Sequence, residues 1–175
     1  MSQLDRTMSY KQIKIASLSL FLISFSMVVY NYTTVNSVLA DKDLMHGIMN
    51  YPMFDILDRC QKDYNYTDDD MIILEKELKR YLILCALKEN ENSTINMYST
   101  DVDNLWHSFI LFTKEYAHFC NTYAQHFIHH SPKVDDSFTT EQLIEARKDF
   151  HSFIGMYEKA FGEEIHPIWL LDRFS

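Results

Sequence analysis

From Ile15 to Tyr30 the chain reads IASLSLFLISFSMVVY, an apolar run broken by serines and by no charge. Beyond it the pattern changes. Apolar residues recur every three or four positions, in stretches divided by polar loops, which is the periodicity of helices that bury one face. The polar residues 31–44 read as a linker. A first amphipathic helix is predicted over 51–63, with Pro52 in its first turn and Phe54, Leu57 and Cys60 on one side. Thr67 followed by Asp68, Asp69 and Asp70 marks a second start, because a hydroxyl caps the free N–H groups and acids suit the positive end of the helix dipole. Met71, Leu74, Leu78, Tyr81 and Cys85 carry that helix to about Leu87, and KENENSTINMYS over 88–99 is a polar loop.

The next helix is predicted to open at Thr100, with Thr100 and Asp103 as a capping pair, and to continue to about Tyr123. Trp106, Phe109, Thr113, Ala117 and Cys120 fall on one side of it as a core stripe. Ser131-Pro132 breaks the pattern. Thr139, with Gln142 at the capping-box position, opens a last helix striped by Leu143, Ala146, Phe150, Phe153, Tyr157 and Phe161, with Gly162 as its C-terminal cap. The tail from His166 to Leu171 is apolar enough to pack back. The expected fold is therefore all-α: a small helical bundle over 48–172 preceded by an N-terminal hydrophobic helix over 15–32, with a short basic tail at 1–14 and a linker at 33–47.

A bilayer core needs about 20 apolar residues, with about 17 as the lower end, and the run counted through Tyr32 reaches that range. Lys11 and Lys14 precede it and no basic cluster follows, so the positive-inside rule predicts a single-pass anchor with a cytoplasmic N-terminus. Two alternatives stand beside it: secretion after cleavage near Val38-Leu39-Ala40, or a soluble cytoplasmic domain whose first helix is buried.

Composition narrows the function. Hydrophobic residues make up 47% of the chain and aromatics 14%, so a packed core is affordable, and 3 Gly with 3 Pro argue against the turn-rich sandwiches and barrels. No GxGxxG or GxxxxGK[ST] occurs, which speaks against nucleotide enzymes of those types. The net charge is −9, but residues 1–14 hold three bases against one acid and 15–40 hold no charge, which leaves −11 for the rest. Such a domain repels phosphate backbones, so no nucleic-acid partner is expected. Cys60, Cys85 and Cys120 form no CxxC and read as buried thiols.

The sharpest chemical signal is metal-like. Asp103 and His107 stand at i and i+4 on one helix face, and His126, His129 and His130 follow with helical ligand spacings. Asp103, His107, His129 and His130 are the candidate ligands of a divalent ion such as zinc. Each also has a structural reading: a cap for Asp103, a half-buried imidazole for His107, a solvated helix end for the later histidines. A Cys120–His107 nucleophile fails on angle, since the two lie about 140° apart around an ideal helix. No motif assigns a catalytic residue.

Asp103-x-x-Trp106-His107, then Thr113, Tyr116, Cys120, His129-His130-Ser-Pro, Phe161-Gly162-Glu163 and Trp169, resembles the glycine-rich domain-containing protein-like family. The resemblance spans roughly 48–170. It implies an α-helical domain with a shared site around the Trp-His pair, where Trp106, Tyr116 and Cys120 are the binding candidates. It implies no particular activity. The hydrophobic N-terminus is foreign to that pattern. The expected function is a membrane-tethered module that binds another protein; the alternative is a metal-binding domain built on His107 and the His129-His130 region.

Overall fold

The structure, a computed structural model, describes residues 22–29, 41–88, 95–131 and 139–170. The chain divides into two compact units, Met1–Asp43 and Leu44–Ser175. In the first, residues 22–29 are helical, and Leu22, Ile23, Phe25, Met27 and Val28 are each more than half exposed. Among the described residues no helix is long and apolar enough to cross a membrane. The single-pass span expected at 15–32 is therefore unsupported: only residues 22–29 of it are described, far short of a bilayer's thickness, and 15–21 and 30–32 lie outside the described residues, as do Val38, Leu39 and Ala40.

The second unit is all-α among its described residues. Its first residues, 44–49, are helical, where the sequence pattern reads as linker through 47; Ile48, fully buried, ties the end of this stretch to the core. Helix α1 spans Phe54–Tyr64, α2 Asp68–Ala86, α3 Thr100–Leu111, α4 Thr113–Phe119 and α5 Thr140–Phe161. A π-helical turn, Cys120–Ala124, continues α4, and a 3-10 turn, Pro167–Trp169, follows α5.

Local chemistry explains most boundaries. Pro52 precedes α1 and does not enter it, Phe54 is exposed, and Ile56 and Cys60 form the buried face. Asn65 ends α1 in the left-handed region that Asn tolerates. Thr67 and Asp70 form a reciprocal capping box on α2, and Thr139 and Gln142 do the same on α5. Gly162 closes α5 at φ 65°. On α3 the cap is Ser99, whose hydroxyl accepts from the Val102 N–H; Thr100 is already helical, and Asp103 is thereby released from capping.

Helix α2 is the centre of the bundle. The spacing predicts a one-sided stripe, yet every residue from Glu77 to Cys85 is buried, because α3, α5 and the π turn pack around it. The polar members of that run are satisfied. Glu77 accepts from the Tyr157 hydroxyl at 2.9 Å and the Trp169 indole N–H at 2.7 Å, and Arg80 donates to Tyr157 and to Glu163. Lys79 donates to the Met49 carbonyl and to Glu75. Trp169, 1% exposed, lies on Tyr81 and Phe153, and the half-buried Ile165 and Ile168 pack on the core beside it, so the tail packs back.

The long helix predicted from Thr100 to Tyr123 is interrupted. Phe112, at φ −81° and ψ 66°, leaves the helical region, and α4 restarts on a new axis. The predicted stripe therefore holds only in part beyond Phe109: Cys120 is buried as expected, but Thr113 is exposed and Ala117 half-buried, while Tyr116 and Phe119 are buried instead.

Candidate metal centre

The break at Phe112 decides where the functional side chains go. Ten residues along a straight helix would set Trp106 and Tyr116 about 15 Å apart. Folded at Phe112, α4 returns toward α3, and the Trp106 indole N–H donates to the Tyr116 hydroxyl at 3.1 Å. The π turn then ends at Gln125, whose φ of 56° is left-handed, and residues 127–131 run on without helical structure. Helical ligand spacings among His126, His129 and His130 therefore do not apply. The Tyr116 hydroxyl donates in turn to the Ile128 carbonyl at 2.6 Å. Its environment is so dry that burial pushes the phenol far above its ordinary range, and it stays a donor at any working pH.

Two residues beyond Ile128, the His130 ring stands edge-on to Trp106, with centroids 4.4 Å apart. Its Nε2 lies 2.8 Å from Asp103 Oδ1. The His107 ring is beside it, centroid to centroid 4.5 Å, and His107 Nε2 lies 4.0 Å from Asp103 Oδ2. Ligand atoms of Asp103, His107 and His130 all fall within 4.8 Å of one another. Exposure rises across the cluster, from 10% for the His130 side chain through 22% for Asp103 to 44% for His107. The cluster thus opens to solvent on the His107 side.

Zinc–ligand bonds of about 2.0–2.1 Å set neighbouring donors about 3.3 Å apart in a tetrahedron. The two histidines approach different oxygens of the Asp103 carboxylate, at 2.8 and 4.0 Å, and the three donors stand within 4.8 Å of one another, so an ion bound there would draw them closer together. Two imidazoles and one carboxylate are a donor set that zinc accepts and that non-haem ferrous ions accept as well.

The fourth predicted ligand, His129, is not in the cluster; it is exposed, with its ring against Phe127 at 4.9 Å. The chain at 127–131 is not helical, and of the two histidines only His130 turns toward Asp103. Asp101 also stays out. It is two residues from Asp103, about 200° around the helix, and it accepts from the Tyr66 hydroxyl at 2.7 Å. Trp106, Tyr116 and Cys120 are interior residues, each at most 3% exposed, so they form no surface groove. Burial raises the Cys120 thiol above its ordinary range, which disfavours the reactive thiolate. The Ile128 carbonyl was invisible to spacing rules, because a main-chain acceptor carries no sequence signature.

Fold and cluster together define a small all-α domain with a His-His-Asp constellation between one helix and the segment that returns to it. The chain belongs to the UCP032817-like family, whose model matches residues 46–153, more than half of the sequence. That match corrects the resemblance to the glycine-rich domain-containing protein-like family: the shared Trp-His and Phe-Gly-Glu elements are short, and the continuous match over residues 46–153 outweighs them. No curated protein and no solved structure matches the chain. The matched residues include Asp103, His107 and His130 and exclude the apolar run at 15–32.

Proposed function

We propose that the domain is a divalent-metal-binding module, with zinc held by Asp103, His107 and His130. The observation that carries this reading is the convergence of two imidazoles and a carboxylate, with Asp103 and His130 27 residues apart in the chain. A hydrogen bond between His130 and Asp103 alone would need no second imidazole at 4.5 Å; one ion shared by all three gives that crowding a reason. An ion there keeps contact with water on the half-exposed His107 side. Zinc-loaded protein, after exhaustive dialysis, should hold one ion per chain by elemental analysis. His107→Ala and His130→Ala should each lose it, and chelator should lower the melting temperature of the unchanged protein only. Sub-stoichiometric metal together with a melt indifferent to chelator would sink the reading.

A second reading, a membrane tether through residues 15–32, is favoured by the exposed apolar side chains of residues 22–29. Flotation of the full chain with lipid vesicles tests it, and a variant lacking residues 1–32 should stay behind. Equal recovery of both forms with the vesicles would count against a tether, and so would sedimentation of the full chain without lipid.

A further inference from the structure

We infer that Tyr116 is the positioning residue of this centre, acting on His130 through the main chain; the inference rests on the metal reading above. His130 is the one donor that no helix holds. Asp103 and His107 sit on α3 four residues apart, so the helix itself sets their spacing. His130 lies in non-helical chain, where nothing local sets its direction. Tyr116 supplies what is missing. Its hydroxyl takes the Trp106 indole N–H and gives its own proton to the Ile128 carbonyl, and all three residues are buried. One oxygen thus joins α3, beside the ligand His107, to the segment that delivers His130. Trp106 adds a wall, since its ring meets the His130 ring edge-on.

The Tyr116 ring is held separately from its hydroxyl, by edge contacts with Phe109 at 5.0 Å and Phe127 at 5.4 Å. Removing the hydroxyl therefore leaves the aromatic packing in place and cuts the link, together with the hydroxyl's bond to the Cys120 thiol. Outer partners of metal ligands are worth about 10–100-fold in affinity, and a link that sets a ligand's position falls in that class.

The experiment is cobalt(II) titration of the full chain, followed by the visible absorption of the bound ion, for the unchanged protein, Tyr116→Phe and Tyr81→Phe. Tyr81 is the comparator: its hydroxyl is also buried, donates to the Ile95 carbonyl at 2.6 Å, and its ring also touches Trp106. Tyr116→Phe should bind cobalt at least tenfold more weakly, with a changed spectrum, while Tyr81→Phe keeps the native affinity and spectrum despite a comparable loss of stability. Equal affinity and spectrum in Tyr116→Phe would overturn the inference, as would equal damage in both variants. If Tyr116→Phe does not fold, Trp106→Phe interrupts the same link from its other end and is read in the same way. Failure of the unchanged protein to take up cobalt would overturn the metal reading itself, which separates the two.

Discussion

Glu163 stands in solvent just past the end of α5, yet its carboxyl accepts from Arg80, a residue 7% exposed. That bond and the charge of Arg80 hold the Glu163 carboxyl below its usual range. A carboxylate lowered in the folded state contributes stability at pH values above its ordinary range, and the contribution disappears as pH falls through the folded value. The chain should therefore lose stability as pH falls below the ordinary carboxylate range, and Glu163→Gln should flatten that slope when denaturant midpoints are compared across pH. It should not abolish it, because Asp70, lowered by its bonds to Thr67, acts with the same sign. An unchanged slope in the variant would show that Glu163 contributes nothing. None of this was visible in the sequence, where Arg80 ends the charged stretch Glu75-Lys76-Glu77-Leu78-Lys79 and lies 83 residues from Glu163; the charge pair needs the tail to fold back.

Two glycines sit in helices, and their surroundings separate them. A Cβ on Gly47 would meet Tyr123 Cε1 at 2.5 Å, and that ring is held by Tyr51 and Phe119. A Cβ on Gly155, within α5, would meet nothing within 4 Å. Gly155→Ala should raise stability by about 0.5–1 kcal/mol, as helix propensity predicts. Gly47→Ala should instead lower it by about 1–3 kcal/mol, the usual cost of overpacking. Thermal melts of the two variants should move in opposite directions; a gain in both would mean that the 44–49 stretch is not pressed against the π turn. The capping boxes at Thr67 and Thr139 and the left-handed glycine cap at Gly162 were legible in the sequence, whereas the Ser99 cap was read one residue late, at Thr100. The break at Phe112 was not, because no Gly or Pro marks it and helical periodicity alone extrapolates straight through.

At the scale of the molecule, the buried part of α2 is enclosed by helices and closed by one residue from the far end of the chain. Trp169 covers Tyr81 and Phe153 and supplies one of the donors to Glu77. Trp169→Ala should cost about 3–5 kcal/mol, a cavity plus an under-satisfied buried carboxylate. Chemical denaturation measures this directly, and a loss below about 1 kcal/mol would mean that the tail is not part of the core. Trp169→Phe should recover part of the loss, because the ring returns without the indole N–H.

The sequence alone determined that the domain is helical, where most helices begin, and that Asp103 and His107 share a face. Those properties depend on periodicity, capping and neighbours three or four residues apart, which a linear pattern encodes. It also offered His129 and His130 as equals, and it put Trp106 and Cys120 on the core stripe while naming them, with Tyr116, as binding candidates. Tertiary structure brought His130 and not His129 to Asp103 and His107, buried Tyr116 beside Trp106, and joined α3 to His130 through one tyrosine hydroxyl. The reason is physical: the choice rests on a break at Phe112, a left-handed Gln125 and a main-chain carbonyl, and each is set by packing between segments rather than by local residue preference.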